Sequence, residues 1–221
     1  PSPPPSPHSP PPPLSAQQLH EFHTQGYTIL RNAFSSSTAA AIKTKVWERM
    51  EQDSHLRRDD PNTWTVERYG IADGWLPSMG APYSDAYSPK LRAAFDQLMG
   101  PDKYEESSLA LGWWVVTFPG FWDERLADYP GHPPEVAWGA AGHWHIDGAH
   151  FQHYINSKEV GLLPIFLFNT IGKHDGGTLL CPGSHRVVAE ILHEYNEDDG
   201  YNAYNAYMEQ DMEPDIDMVE E

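Results

Sequence analysis

The spacing of apolar residues changes character near Gly100. Before it the period is helical. In SAQQLHEFHTQG (15–26) Leu19 and Phe22 share a face, Ser15 offers an N-cap and Gly26 a stop, which predicts a helix. YTILRNAF (27–34) reads as a short strand and turn. SSSTAAAIKTKVWERMEQD (35–53) opens on hydroxyl side chains able to cap and carries Ile42, Val46 and Met50 four apart, so it predicts a second helix. SPKLRAAFDQLMG (88–100) predicts a third, stopped by Gly100. Between them, residues 54–87 hold Gly, Pro, Trp and Tyr without a period and read as a long structured loop.

After Gly100 the runs become short, β-branched and aromatic. Strands are predicted in SLALGWWVVTF (108–118), EVAWGAAGHWHID (135–147) and VGLLPIFLFNTI (160–171), with a turn, strand and turn in GGTLLCPGSH (176–185). Trp113 and Trp114 alternate faces, which puts at least one toward a core. RVVAEILHEY (186–195) returns to helical spacing through Val187, Ile191 and Tyr195. Helices first and short strands afterwards predict a mainly-β sandwich or barrel decorated by N-terminal helices, not alternating βαβ units.

Composition sets the boundaries. Residues 1–13 contain nine prolines and are expected to be an extended, disordered tail, either a spacer or a ligand for a proline-recognising partner. The folded domain is expected over 14–195. Residues 196–221 form an acidic segment: from Glu194 to Glu221 there are 11 acids and no Lys or Arg. The net charge of −18 argues against nucleic acid and anionic membrane as partners, and no apolar run approaches the roughly 20 residues of a membrane span. Cys181 is the single cysteine, so no disulfide forms within the chain, and no leader pattern is visible; a cytoplasmic setting is the expectation.

The candidate chemistry sits in GHWHIDGAH (142–150). At a strand end, residues i and i+2 point to one side, so His145 and Asp147 can offer a nitrogen and a carboxylate oxygen to one cation. Adding a distant histidine makes the 2-His-1-carboxylate triad of non-haem Fe(II) oxygenases, which leaves positions open for co-substrate and oxygen. Trp144, His150, Phe151 and His153 would line the mouth of such a pocket, with His150 and His153 equally readable as exposed polar residues. His143 shares the side of His145 and reads as a supporting residue. Asn169, at the end of an apolar strand, has an amide that can donate into the pocket.

Four stretches carry a resemblance: LSAQQLHEFHTQGYTILRNAF, GHWHIDGAHFQHY, EVGLLPIFLFNTI and GGTLLCPGSHR, in that order over about residues 14–195. Together they resemble the phytanoyl-CoA dioxygenase family of Fe(II)/2-oxoglutarate-dependent oxygenases. The resemblance implies a double-stranded β-helix (jelly-roll) core, with His145 and Asp147 as iron ligands and Thr178 near the 2-oxoglutarate pocket. Its reaction uses molecular oxygen and 2-oxoglutarate to hydroxylate a small organic substrate, with no catalytic side chain beyond the metal ligands. The sequence departs from the family where the third ligand and the arginine for 2-oxoglutarate belong, beyond the GGT and PGSH turn. His185 is the fallback third ligand; His193, on a predicted helix, and Arg186, as carboxylate anchor, are lesser candidates. The expectation is a chain cut short at its C-terminus, with an incomplete jelly roll and its third ligand elsewhere. Pro1 in place of Met agrees with this.

Two other readings remain. A cupin would follow H-x-H with Glu, but Ala149 and His150 stand where it belongs. A catalytically inactive oxygenase-fold protein serving as an interaction module would suit the proline-rich head and the acidic tail.

Overall fold

In this computed structural model the described residues are 11–71, 74–105, 109, 114–119, 144–148, 152–157, 161–172, 175–194 and 201–202. Helix α1 (Ala16–Gln25) begins where its local chemistry requires. The Ser15 hydroxyl accepts from the Gln18 N–H at 3.2 Å, and the Gln18 side chain accepts from the Ser15 N–H at 3.0 Å, a reciprocal capping box. It ends at Gly26, whose φ of 83° is the left-handed conformation that glycine adopts without strain. Helix α2 (Ser36–Asp53) is capped by the Ser35 hydroxyl and buries Thr38, Ile42, Val46 and Met50, one stripe at a spacing of four. Just past its far end the Arg57 guanidinium donates to the Ser54 and Leu56 carbonyls at 2.9 and 2.7 Å, and at 3.3 Å to the Glu51 carbonyl, one of those that a helix end leaves open. The short α3 (Tyr83–Ala86) leads into α4 (Pro89–Met99), capped by Ser88 and burying Leu91, Ala94 and Phe95.

The stretch 54–87, expected as loop, contains more. It has 3₁₀ turns at Pro61–Thr63 and Pro77–Met79, and strand β1 (Arg68–Ile71). Strand β1 pairs antiparallel with β2 (Trp114–Thr117), with buried Ile71 opposite buried Trp114, and the Phe118 N–H extends the ladder to the Glu67 carbonyl at 2.9 Å. Strand β2 places Trp114 in the core, as the alternation of the two tryptophans required; Trp113 lies outside the described residues.

Residues 27–34 correct an expectation. They run extended and then turn, but no strand forms there among the described residues; the Ile29 carbonyl is taken by the Gln18 side chain at 2.8 Å instead of by a ladder. Residues 161–168, expected as a strand from their continuous apolar run, alternate in their cover but do not pair. Leu162, Pro164, Phe166 and Phe168 are partly covered, whereas Leu163, Ile165 and Leu167 are exposed. Phe166 and Phe168 reach Phe34 at ring-centroid distances of 6.0 and 5.2 Å, and Phe168 lies 4.9 Å from Trp114. Aromatic packing thus holds this segment where hydrogen bonds to a neighbouring strand were expected.

The chain divides into two compact units, Pro1–Phe118 with Pro164–Gly177, and Pro119–Leu163 with Thr178–Glu221. In the second unit β3 (Gln152–His153) pairs antiparallel with β4 (Tyr201–Asn202), so a strand lies inside the acidic stretch 196–221. Helix α5 (Ser184–Glu194) follows the GGT turn, over most of the span its spacing predicted, and buries Leu192. No strand forms at 144–147 or 176–181; residues 135–143 lie outside the described residues. The mainly-β expectation is therefore not carried by the described residues. Their long elements are helices of 10, 18, 11 and 11 residues, and their strands have four, four, two and two. Capping is satisfied by neighbours in sequence in α1, α2 and α4, whereas the strands depend on partners distant in sequence.

Candidate functional site

His145 and Asp147 lie in a non-regular segment of the second unit that ends in a bend at Asp147, and Gly148 follows at φ 108°. The two side chains meet. His145 Nε2 is 3.1 Å from Asp147 Oδ1, and both side chains are 57% exposed. The carboxylate accepts, so Nε2 carries the proton of this hydrogen bond. The same separation suits a shared cation. Bonds of roughly 2.1 Å from one metal ion to a nitrogen and an oxygen at a right angle place those atoms about 3 Å apart. The pair is therefore spaced as two adjacent ligands of an octahedral ion. Among the described residues no group of three His, Cys, Asp or Glu side chains forms a metal site.

His153 departs from one sequence reading, that of an exposed polar residue. It is 1% exposed, and its Nε2 lies 3.2 Å from the Gly148 carbonyl. A carbonyl only accepts, so this nitrogen donates, and the imidazole ties β3 to the backbone next to Asp147. No pattern in the sequence signals this role, because it depends on where β3 lies. Trp144 is 42% exposed beside His145. His143, His150 and Phe151 lie outside the described residues.

Thr178 is exposed, just after a crowded glycine: a Cβ on Gly177 would lie 2.8 Å from Ile171 Cγ2, so no side chain fits there unless the neighbour moves. The preceding Gly176 carbonyl accepts from the Thr117 hydroxyl at 3.5 Å, which ties the turn to β2. Asn169 is exposed and belongs to the first unit, whereas Thr178 opens the last segment of the second. His185 and Arg186 occupy the first turn of α5 and His193 its last, all exposed.

The sequence profile of the phytanoyl-CoA dioxygenase (PhyH) family matches residues 22–219, which is most of the chain and includes the acidic stretch through residue 219. The chain belongs to this family. Among curated proteins it is similar to the ectoine dioxygenases of Bordetella parapertussis and Bordetella bronchiseptica, 26% identical to each over 192 residues. That alignment covers 84% of this chain and 54% of each relative, so the chain spans about half the length of the curated relatives it matches. No solved structure matches it. Among the described residues no helix is long and apolar enough to cross a membrane.

Proposed function

We propose that the protein is an Fe(II)/2-oxoglutarate-dependent dioxygenase that hydroxylates a small organic substrate, with His145 and Asp147 as two of its iron ligands. The observation that carries this is the 3.1 Å separation of His145 Nε2 and Asp147 Oδ1, in a pair open to solvent within a PhyH-family chain. The iron, when bound, supplies the centre at which oxygen is activated as 2-oxoglutarate loses carbon dioxide. The residues prepare that centre. His145 would hold the ion through Nε2 as the tautomer protonated on Nδ1, and the Asp147 carboxylate would serve as a ligand in place of accepting the Nε2 proton. His153, by holding the Gly148 carbonyl, limits how far Asp147 can swing. Trp144, His150 and Phe151 are assigned to the pocket around the ion, Thr178 to the co-substrate, and the family's jelly roll to the surrounding framework. The third ligand is left unassigned, with His185 as the fallback.

Ectoine, the compound in the relatives' name, is a small organic molecule, and that is the substrate class proposed here. A cytoplasmic setting belongs to the same proposal, in keeping with a chain whose single cysteine is Cys181. One observation favours a second reading. The described residues bring together two metal donors, not three, as an inactive interaction module of the same family would.

Anaerobic titration with Fe(II) in the presence of 2-oxoglutarate separates the two. The oxygenase gives a visible charge-transfer band that His145→Ala and Asp147→Ala each abolish. A chain that gives no band and does not consume 2-oxoglutarate under oxygen, alone or within a longer protein containing it, is the interaction module.

A further inference from the structure

The segment that carries His145 and Asp147 is not fixed by packing. Residues 144–148 form no helix or strand, and none of them is buried. A backbone of this kind opens easily unless something outside the segment holds it, and ordering it on binding weakens any site built on it.

The hold comes from a buried ring. His153 is 1% exposed, and its Nε2 donates at 3.2 Å to the carbonyl of Gly148, the residue after Asp147. An imidazole is unfavourable in a core unless its nitrogens find partners, and an apolar side chain would fill the same space. A histidine at this position is therefore explained by the bond it makes. The backbone of His153 is itself secured on both sides. Strand β3 (Gln152–His153) pairs with β4 (Tyr201–Asn202), with His153 opposite Tyr201. Directly after it the Tyr154 N–H donates to Ser157 Oγ at 2.8 Å, and the Ser157 N–H donates to the Tyr154 carbonyl at 3.1 Å, which closes a turn. The turn is local, whereas β4 comes from the acidic stretch, far from Asp147 in sequence and without a part in the proposed chemistry.

We propose that β4 is a positioning element for the metal-binding segment: through β3, the His153 ring and the Gly148 carbonyl it sets where Asp147, and with it His145, stands. Its bearing on iron rests on the reading of His145 and Asp147 as ligands. The acidic stretch thus acts on the site through backbone pairing and a single imidazole, a route that does not depend on its charge.

The test uses the full chain and two readouts, hydrogen–deuterium exchange over residues 144–148 of the metal-free protein and anaerobic calorimetry with Fe(II) and 2-oxoglutarate. Tyr201→Pro with Asn202→Pro removes both backbone donors of β4. His153→Leu removes the ring donor, and His153→Gln returns an N–H near the place of Nε2. In the proline pair and in His153→Leu, exchange should quicken at least about fivefold and Fe(II) should bind about tenfold more weakly, with His153→Gln within about twofold of the native chain in both readouts. Adding the prolines to His153→Leu should cause no further loss, because both break one chain of contacts. Native exchange in the proline pair overturns the proposal, as does His153→Gln behaving like His153→Leu, or losses that multiply in the combined variant. The proline pair decides alone if His153→Leu does not fold. A native chain that binds no Fe(II) counts against the iron-ligand reading, and exchange in the metal-free chain still decides whether β4 holds the segment.

Discussion

At Tyr87 the environment of one residue sets a pH response. The side chain is buried, 3% exposed, against Phe95 and Phe166, and burial pushes its phenol up to about 12, with the Arg92 guanidinium 5.9 Å above the ring pulling the other way. The folded pKa lies above the usual phenol value near 10, so between these pH values the folded state holds a proton that the unfolded chain has lost. The contribution is therefore fully present below pH 10 and disappears as pH rises to about 12. Replacement by Phe keeps the ring and removes the titration. Urea midpoints measured from pH 9 to 12 should fall more steeply in the native protein than in Tyr87→Phe; parallel curves would show that the phenol ionises freely in the folded state.

Among the elements, the helices, built from neighbours in sequence, were legible, and of the strands β2 was legible in its apolar, β-branched run whereas β1 was not. Helix α1 is the clearest case. Ser15 and Gln18 are three residues apart and satisfy each other's backbone, which a reader of the sequence can see. Ser15→Ala removes the hydroxyl acceptor while leaving Gln18 in place, and should destabilise the protein by about 1 kcal/mol, read as a lower urea midpoint with an unchanged m-value. An unaltered midpoint would mean that the two hydrogen bonds between the Leu14 backbone and the Gln97 side chain alone secure this end. Strand β1 shows the opposite. Its RYGI has no alternation to announce it, and it exists because Trp114, more than 40 residues later, pairs with Ile71. The 161–168 segment was legible as an apolar run of strand length but not in its environment, because such a run says neither which side chains are covered nor whether a strand lies beside them. The site divides in the same way. His145 and Asp147 meet because they are two apart, whereas the burial of His153 depends on where β3 lies, which no local pattern reports.

Over the whole molecule, charge is the property that composition states most directly and that no single contact expresses. The net charge is −18, and residues 194–221 supply 11 acids toward it without a compensating Lys or Arg. Strand β4 falls within this stretch of the sequence and pairs with β3, a few residues after Asp147, and the family match runs through the stretch to residue 219. Like charges gathered on a compact state repel one another, and salt at about 0.15 M shortens the reach of that repulsion to roughly 8 Å. Thermal midpoints should therefore rise between low and physiological ionic strength. Surface ion pairs such as Lys45–Glu48 and Arg49–Asp53 would respond in the opposite sense, but exposed pairs contribute little, so repulsion should dominate. Glu197→Gln, Asp198→Asn and Asp199→Asn together remove three charges just before β4 and should flatten the rise without changing the midpoint at high salt. A triple variant with the same salt slope as the native protein would place the repulsion elsewhere, and a midpoint that falls with salt would show that attraction between opposite charges outweighs it.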